Sequence, residues 1–256
     1  MNFQGLIEID IDIAGVTVTE LSPMIHTPTE AVVYYHGYSS SRNDSLFYGR
    51  LLASMGYLVL VYEQKGHGHR SHELKLNFDA PDEKFWDVVI SSITESPNLI
   101  NYLVEKKGIH PQKIVFSGHS MGAMVAAGVF IKSPIGKLVC YNGSLDFRAL
   151  NTYFCKNNHW DENKQAEVNQ RIQYYSPADH ISRLENRPIL LVDGEDDRIV
   201  PCQFNVDVLQ ALRTYYKDKS LLQHLIIDHA GHALTLTALR VTGMFLERRN
   251  VENYGI

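Results

Sequence analysis

No apolar run in this 256-residue sequence approaches the roughly 20 residues that a membrane-spanning helix needs. There are only three cysteines, Cys140, Cys155 and Cys202. An odd number without CxxC spacing excludes a disulfide framework and a zinc knuckle, and we read them as packed thiols. No Lys/Arg cluster interrupts a chain of net charge -5, so neither nucleic acid nor an anionic membrane is an expected partner. A basic, then greasy, N-terminal leader is also missing. "MNFQGLIEIDIDIAGVTV" instead alternates apolar with acidic residues, the period of a strand, and a cytoplasmic protein is expected on that ground. Repeats, low-complexity tracts and linkers are absent, so residues 1–256 are read as one domain. What is present, 45% hydrophobic and 21% charged residues, suits a soluble chain with a sizeable core.

Strand-like and helix-like segments alternate along it. "LIEIDIDI" and "VTVTEL" flank Ala14-Gly15 as an antiparallel hairpin. "AVVYYHG" is a short strand buried on both faces, followed by a helical pattern from Ser45 to Met55 that Gly56 closes. After "YLVLVYE" a His-rich loop leads to a helical region from about Asp82 to Lys107. Pro97 is expected to interrupt that region, and Phe85 and Trp86 to face its core. "KIVFSG" and "KLVCYNG" are strands separated by the helix "MGAMVAAGVFI". "RPILLVDG", a helix around Gln203 to Tyr216, "LLQHLIID" and a last helix from about Ala233 to Arg249 complete the series. This alternation predicts an α/β fold, a mostly parallel sheet with helices on both faces and function at the carboxyl ends of its strands. One stretch breaks the pattern. Leu145 to about Tyr175, rich in aromatic side chains such as Tyr153, Phe154 and Trp160, is read as a short lid over a site.

Gly118-His119-Ser120-Met121-Gly122 is a G-x-S-x-G pattern between a strand and a helix, the context that gives this motif its meaning. The glycines permit a strained turn that lifts a hydroxyl to a helix N-terminus, where a developing negative charge is favoured. Ser120 is therefore the candidate nucleophile. A serine needs a base to take its proton and an acid to orient that base. Two strand ends downstream supply them in order: Glu195, Asp196 and Asp197 in "ILLVDGEDDRIVP", then Asp228, His229 and His232 in "LIIDHAGHAL". The amide of Met121, next after the serine, is one candidate donor to an oxyanion.

With these residues in hand the chain resembles the α/β-hydrolases from end to end. It is most similar to small bacterial carboxylesterases near the dienelactone hydrolases and the catalytic domain of prolyl oligopeptidases. "HGYSSSRND", "GHGHR", "KFWDVV", "SGHSMGAM" and "RPILLVDGEDDRIVP" carry that likeness. The resemblance implies an eight-stranded sheet, a Ser120-Asp197-His232 triad, and hydrolysis of a small-molecule ester through an acyl-enzyme without a cofactor. It selects Asp197 through G-x-x-D-x-x-V-P, Gly194 to Pro201, and His232 through the Gly-His pair before the closing helix. In His36-Gly37-Tyr38 it points to the Tyr38 amide as the second oxyanion donor, with the ring free to wall a pocket and His36 left for packing and hydrogen bonding. Glu63 departs from the pattern, standing where many relatives have Asp.

Rival readings are weaker. His67, His69 and His72 in "GHGHRSHE" resemble the H-x-H-x-D-H zinc motif of metallo-β-lactamase-like hydrolases, but Ser71 holds the place of the Asp and no metal is expected. A loop held by His67 and Arg70 is the plainer reading. A binding protein of the same fold would be signalled by a missing triad member, and none is missing. Peptide or thioester cleavage stays open because the same triad serves. The short aromatic lid predicts short or medium acyl chains. Because the base must be neutral, activity is expected to rise with pH in the range where histidine titrates, about pH 5–8.

Overall fold

The computed structural model describes residues 5–79, 81–157 and 160–247. Its strands are β1 (Leu6–Ile13), β2 (Val16–Pro23), β3 (Ala31–Tyr35), β4 (Leu58–Tyr62), β5 (Ile114–His119), β6 (Lys137–Tyr141), β7 (Ile189–Gly194) and β8 (Leu222–Ile227). They form one sheet in the order β1-β2-β4-β3-β5-β6-β7-β8. The hairpin pairs antiparallel within itself and onto β4, and the six strands from β4 to β8 run parallel. A parallel strand buried on both faces needs no polar alternation. Accordingly β3 and β4 are wholly buried, Val33 and Tyr35 joining one apolar layer while Val32 and Tyr34 join the other.

The first layer carries α2 (Lys84–Asn101), α3 (Met121–Lys132) and α6 (Gln203–Leu212); the second carries α1 (Arg42–Ser54) and α7 (Leu236–Leu246). Nearly every residue of α3 is buried, which is why its sequence is apolar all round rather than amphipathic. Ser120, Asp197 and His232 follow the carboxyl ends of β5, β7 and β8, and Tyr38 follows β3. Between β6 and β7 stands the insertion, built from α4 (Phe147–Asn157) and α5 (Gln165–Ile172); Asn158 and His159, within the expected lid, lie outside the described residues.

The helix read from Ser45 begins at Arg42, where the Ser41 side chain caps it, and the one read as far as Tyr216 ends at Leu212. Two further expectations need correction. Pro97 does not interrupt α2, which runs through it into a π-helical turn at Tyr102–Lys106. The proline lies on the exposed side, while Phe85, Val89, Ile93, Ser96 and Leu99 keep one continuous buried face, so tertiary packing outweighs the missing N–H. The last helix starts at Leu236 rather than Ala233 because Thr235 caps it, its hydroxyl accepting from the Ala238 amide at 3.2 Å. Its expected end at Arg249 lies outside the described residues. None of the described helices is long and apolar enough to cross a membrane.

The insertion is tied to α2 by the Trp86 indole, which is fully buried and donates to Asn151 Oδ1 at 2.8 Å. Surface ion pairs of Lys164 with Glu83 and Arg171 with Asp87 join the same elements but contribute little at their exposure. Trp86→Ala is therefore expected to destabilise the protein by about 3–5 kcal/mol through the cavity alone. Urea unfolding measures it, and a midpoint equal to that of the parent would show that the anchor is dispensable.

Candidate active site

Ser120 occupies φ 56°, ψ -121°, a conformation that side chains avoid and that costs on the order of 1–3 kcal/mol. Close approach of bare backbone makes it possible. A Cβ on Gly122 would overlap the Tyr35 carbonyl, and one on Gly118 would overlap the Gly122 backbone, so no side chain fits at either place. The turn is closed by the Ser120 amide donating to the Tyr141 carbonyl at 2.9 Å and the Ala123 amide donating to the Ser120 carbonyl at 3.0 Å.

At this turn the structure brings together three of the residues expected from the sequence. His232 Nε2 lies 2.8 Å from Ser120 Oγ, and His232 Nδ1 lies 2.7 Å from Asp197 Oδ2. The ionised carboxylate can only accept, so Nδ1 carries the proton and the Nε2 lone pair faces the hydroxyl. Asp197 is 4% exposed. Its Oδ1 accepts from the Ile199 and Val200 amides, each at 2.9 Å, and its Oδ2 also accepts from Asn142 Nδ2 at 2.9 Å. Burial raises the carboxyl pKa, but the bonds from His232, the Val200 amide and Asn142 together hold it below the ordinary aspartate value. The competing residues fall outside. The Asp196 side chain is 61% exposed and that of His229 is 90% exposed.

Asn142, which the sequence reading passed over, holds the acid and base loops together. At φ 49° it donates to Asp197 and also to the Gly231 carbonyl at 3.3 Å, one residue before His232. Its only mark in the sequence is an Asn-Gly pair at the end of a strand, where a turn needs no further explanation. Backbone bonds from the Asp196 amide to the Ala230 carbonyl at 2.8 Å and from the Glu195 amide to the Ile227 carbonyl at 3.0 Å join the same two loops.

The His36-Gly37-Tyr38 loop lies against the serine turn: a Cβ on Gly37 would stand 3.6 Å from Ser120 Cβ and 3.4 Å from His119 Nδ1. Among the described residues neither the Tyr38 nor the Met121 amide donates a backbone hydrogen bond. Three consecutive carbonyls of this loop are held by side chains, His36 by Gln64, Gly37 by His36 Nδ1 and Tyr38 by His67. Arg70, bound to Glu73, Glu95, the Tyr62 hydroxyl and the Glu63 carbonyl, fixes the loop that carries His67. Burial pushes the His67 imidazole down to about 4, which keeps it neutral. His119, with its ring 5.0 Å from that of His232, is pushed to about 4 by burial and then by its neighbour.

A cavity of about 370 Å³ opens beside Ser120 and His232, with Tyr38, Phe85, Phe154 and Trp160 on its walls together with Ile199. Phe85 does more than face the helix core, as the sequence suggested. Its ring is the hub of the wall, 5.6 Å from Tyr38, 5.5 Å from Phe154 and 5.9 Å from Trp160.

The sequence profile of the prolyl oligopeptidase family matches residues 45–243. The chain belongs to that family. Among curated proteins it is similar to esterase YjfP of Escherichia coli K12, 27% identical over 204 residues that span 76% of this chain and 79% of that protein. The putative esterase YitV of Bacillus subtilis 168 is 24% identical over 226 residues, 85% of this chain and 88% of that one. Among solved structures TT1662 of Thermus thermophilus superposes with a TM-score of 0.79 at 24% identity, covering 94% of this chain and 97% of that one. The fold of this family member is that of the α/β-hydrolases, as the resemblance implied.

The depressed Asp197 carboxyl contributes stability that is present above its ordinary value of 3.8 and is lost as pH falls through the lower folded value. Asn142→Gly keeps the left-handed backbone and removes one donor. Its thermal midpoint is expected to fall below that of the parent at neutral pH, with the gap narrowing below pH 3.8. A gap that does not change with pH would show that Asn142 does not act through the carboxylate.

Proposed function

We propose that the protein is a carboxylesterase-like serine hydrolase that cleaves small-molecule esters of short to medium acyl chains. The observation that carries this reading is the unbroken hydrogen-bonded chain from Asp197 through His232 to Ser120 at the mouth of an apolar cavity. The names of the relatives support it, since YjfP is called an esterase and YitV a putative one. His232 takes the proton of Ser120 as its oxygen attacks the ester carbonyl, and Asp197 orients and steadies the imidazolium. The Tyr38 and Met121 amides receive the oxyanion. The alcohol departs with the proton from His232, and water repeats the sequence to free the acid. These steps draw on side chains and backbone alone, with no cofactor and no metal. The three cysteines are free, which accords with a cytoplasmic setting.

The family is named for a peptidase, so amide cleavage by the same triad is the second reading, with thioester cleavage a third. Both share the first step and differ in the leaving group. The ring wall of Phe85, Phe154 and Trp160 borders a cavity of only about 370 Å³, which supports short to medium chains over long ones.

Labelling with a fluorophosphonate, followed by peptide mapping, is expected to place one adduct on Ser120 and none in Ser120→Ala. Ser120→Ala and His232→Ala should each lower kcat by about 10⁴–10⁶, with no further loss in the double variant. His229→Ala and Asp196→Asn should stay active where His232→Ala and Asp197→Asn do not. The reverse pattern in either pair would overturn that residue's role. Across a series of acyl chains, rates that keep rising beyond about twelve carbons, as transfer of each CH₂ alone would dictate, contradict the chain-length reading.

A further inference from the structure

His36 and Glu63 form a buried pair behind the loop after β3, and no step of the chemistry above uses either side chain. His36 is 0% and Glu63 2% exposed. We propose that His36, braced by Glu63, is a positioning residue that aims the Tyr38 amide at the reacting oxygen. The proposal rests on the reading of Ser120 as nucleophile and of Tyr38 as an oxyanion donor.

The argument is one of peptide geometry. In a trans peptide the C=O and the following N–H point in opposite directions within one plane, so fixing one end fixes the other. The peptide bond between Gly37 and Tyr38 is trans. Its carbonyl is held by His36 Nδ1 at 2.8 Å and by the Ser40 amide at 3.3 Å, and because a carbonyl can only accept, Nδ1 carries the proton. The His36 bond is the shorter of the two and the one a side chain supplies, so it is the one that tunes the direction of the Tyr38 N–H. The peptides on either side are pinned as well, by Gln64 Nε2 on the His36 carbonyl at 2.5 Å and by His67 Nε2 on the Tyr38 carbonyl.

The imidazole is in turn held from behind. Its Nε2 has one position to use: as a donor it meets Glu63 Oε1 at 3.1 Å, the contact that braces it, and as an acceptor it would instead take the Gln64 amide at 3.2 Å. Glu63 Oε1 also accepts from the Arg42 amide at 3.0 Å. Glu63 needs room to do this. Gly68, at φ +45°, stands where any Cβ would overlap the carboxylate, so a glycine in a left-handed conformation leaves the space. The departure noted in the sequence, Glu63 where relatives have Asp, thus has a use: the acid closes a relay from β4 to the oxyanion loop. A donor fixed before the reaction needs no reorganisation when charge develops, which is the basis of oxyanion stabilisation.

The test is steady-state kinetics on a short-chain ester, with inhibition by a trifluoromethyl ketone whose adduct on Ser120 carries an oxyanion. Asn at position 36 can place an N–H close to that of imidazole Nδ1, and Ala cannot. His36→Ala is expected to lower kcat about 10- to 100-fold, somewhat less than outright loss of an oxyanion donor, with KM nearly unchanged. Affinity for the ketone should weaken by the same factor, and His36→Asn should restore most of both. Glu63→Gln, which keeps an acceptor for the Arg42 amide, should lose a smaller share, again in kcat.

Asn and Ala variants that fall together, or a change in KM rather than kcat, would reduce His36 to a packing residue and overturn the proposal. So would unchanged kcat and ketone affinity in Glu63→Gln, which decides the matter even where His36→Ala fails to fold. A parent protein that neither binds the ketone nor labels at Ser120 removes the hydrolase reading and this proposal together. A labelled Ser120 with unresponsive variants removes this proposal alone.

Discussion

With no Cβ at Gly118 or Gly122, the first turn of α3 settles directly on the end of β3, Gly122 against the Tyr35 carbonyl. That contact forces Ser120 into positive φ and places its hydroxyl over the carboxyl edge of the sheet. Everything else at the site is arranged around the point so defined. The loop after β3 lies against the turn because Tyr35 and His36 are already there, and the loops after β7 and β8 reach it from the other side. The local cost of the strained serine is met by an apolar helix buried on nearly every face, which cannot shift to relax it.

Charge at the site is managed by burial and by donors acting against each other. Asp197 is out of water yet stays ionised because four donors converge on its two oxygens. His67 and His119 have lost solvent without comparable acceptor charge and stay neutral. Buried groups of the same chemical kind thus behave differently according to the partners each one finds.

The strand and helix series, the parallel sheet and the loops that carry the site were legible because each left a local mark: β-branched runs, glycines at defined offsets, acids and histidines after apolar strands. The choice between Asp196 and Asp197, or between His229 and His232, was not in the residues themselves. Neighbours in a loop differ only in which way they point, and the resemblance to the α/β-hydrolases was needed to separate them. Asn142 was invisible for a related reason: its partners lie 55 and 89 residues away. Pro97 misled in the opposite sense, since a local rule for ending helices yielded to a buried face that spans the proline. Phe85 was placed on the right element but given half its part, because a ring can belong to the core and line a cavity at once.

The aromatic wall joins parts of the chain that might otherwise evolve separately. Phe154 and Trp160 come from the insertion, Phe85 from α2 and Tyr38 from the loop that lies against the serine turn, and the rings touch in sequence. An insertion is where a fold ordinarily diversifies, since loops tolerate change. Here a replacement at position 154 or 160 would be felt through Phe85 at the ring of Tyr38. Divergence toward new ligands is then constrained by epistasis, so that paired changes in the insertion and in α2 form the accessible route and single large ones leave a gap or a clash in the wall.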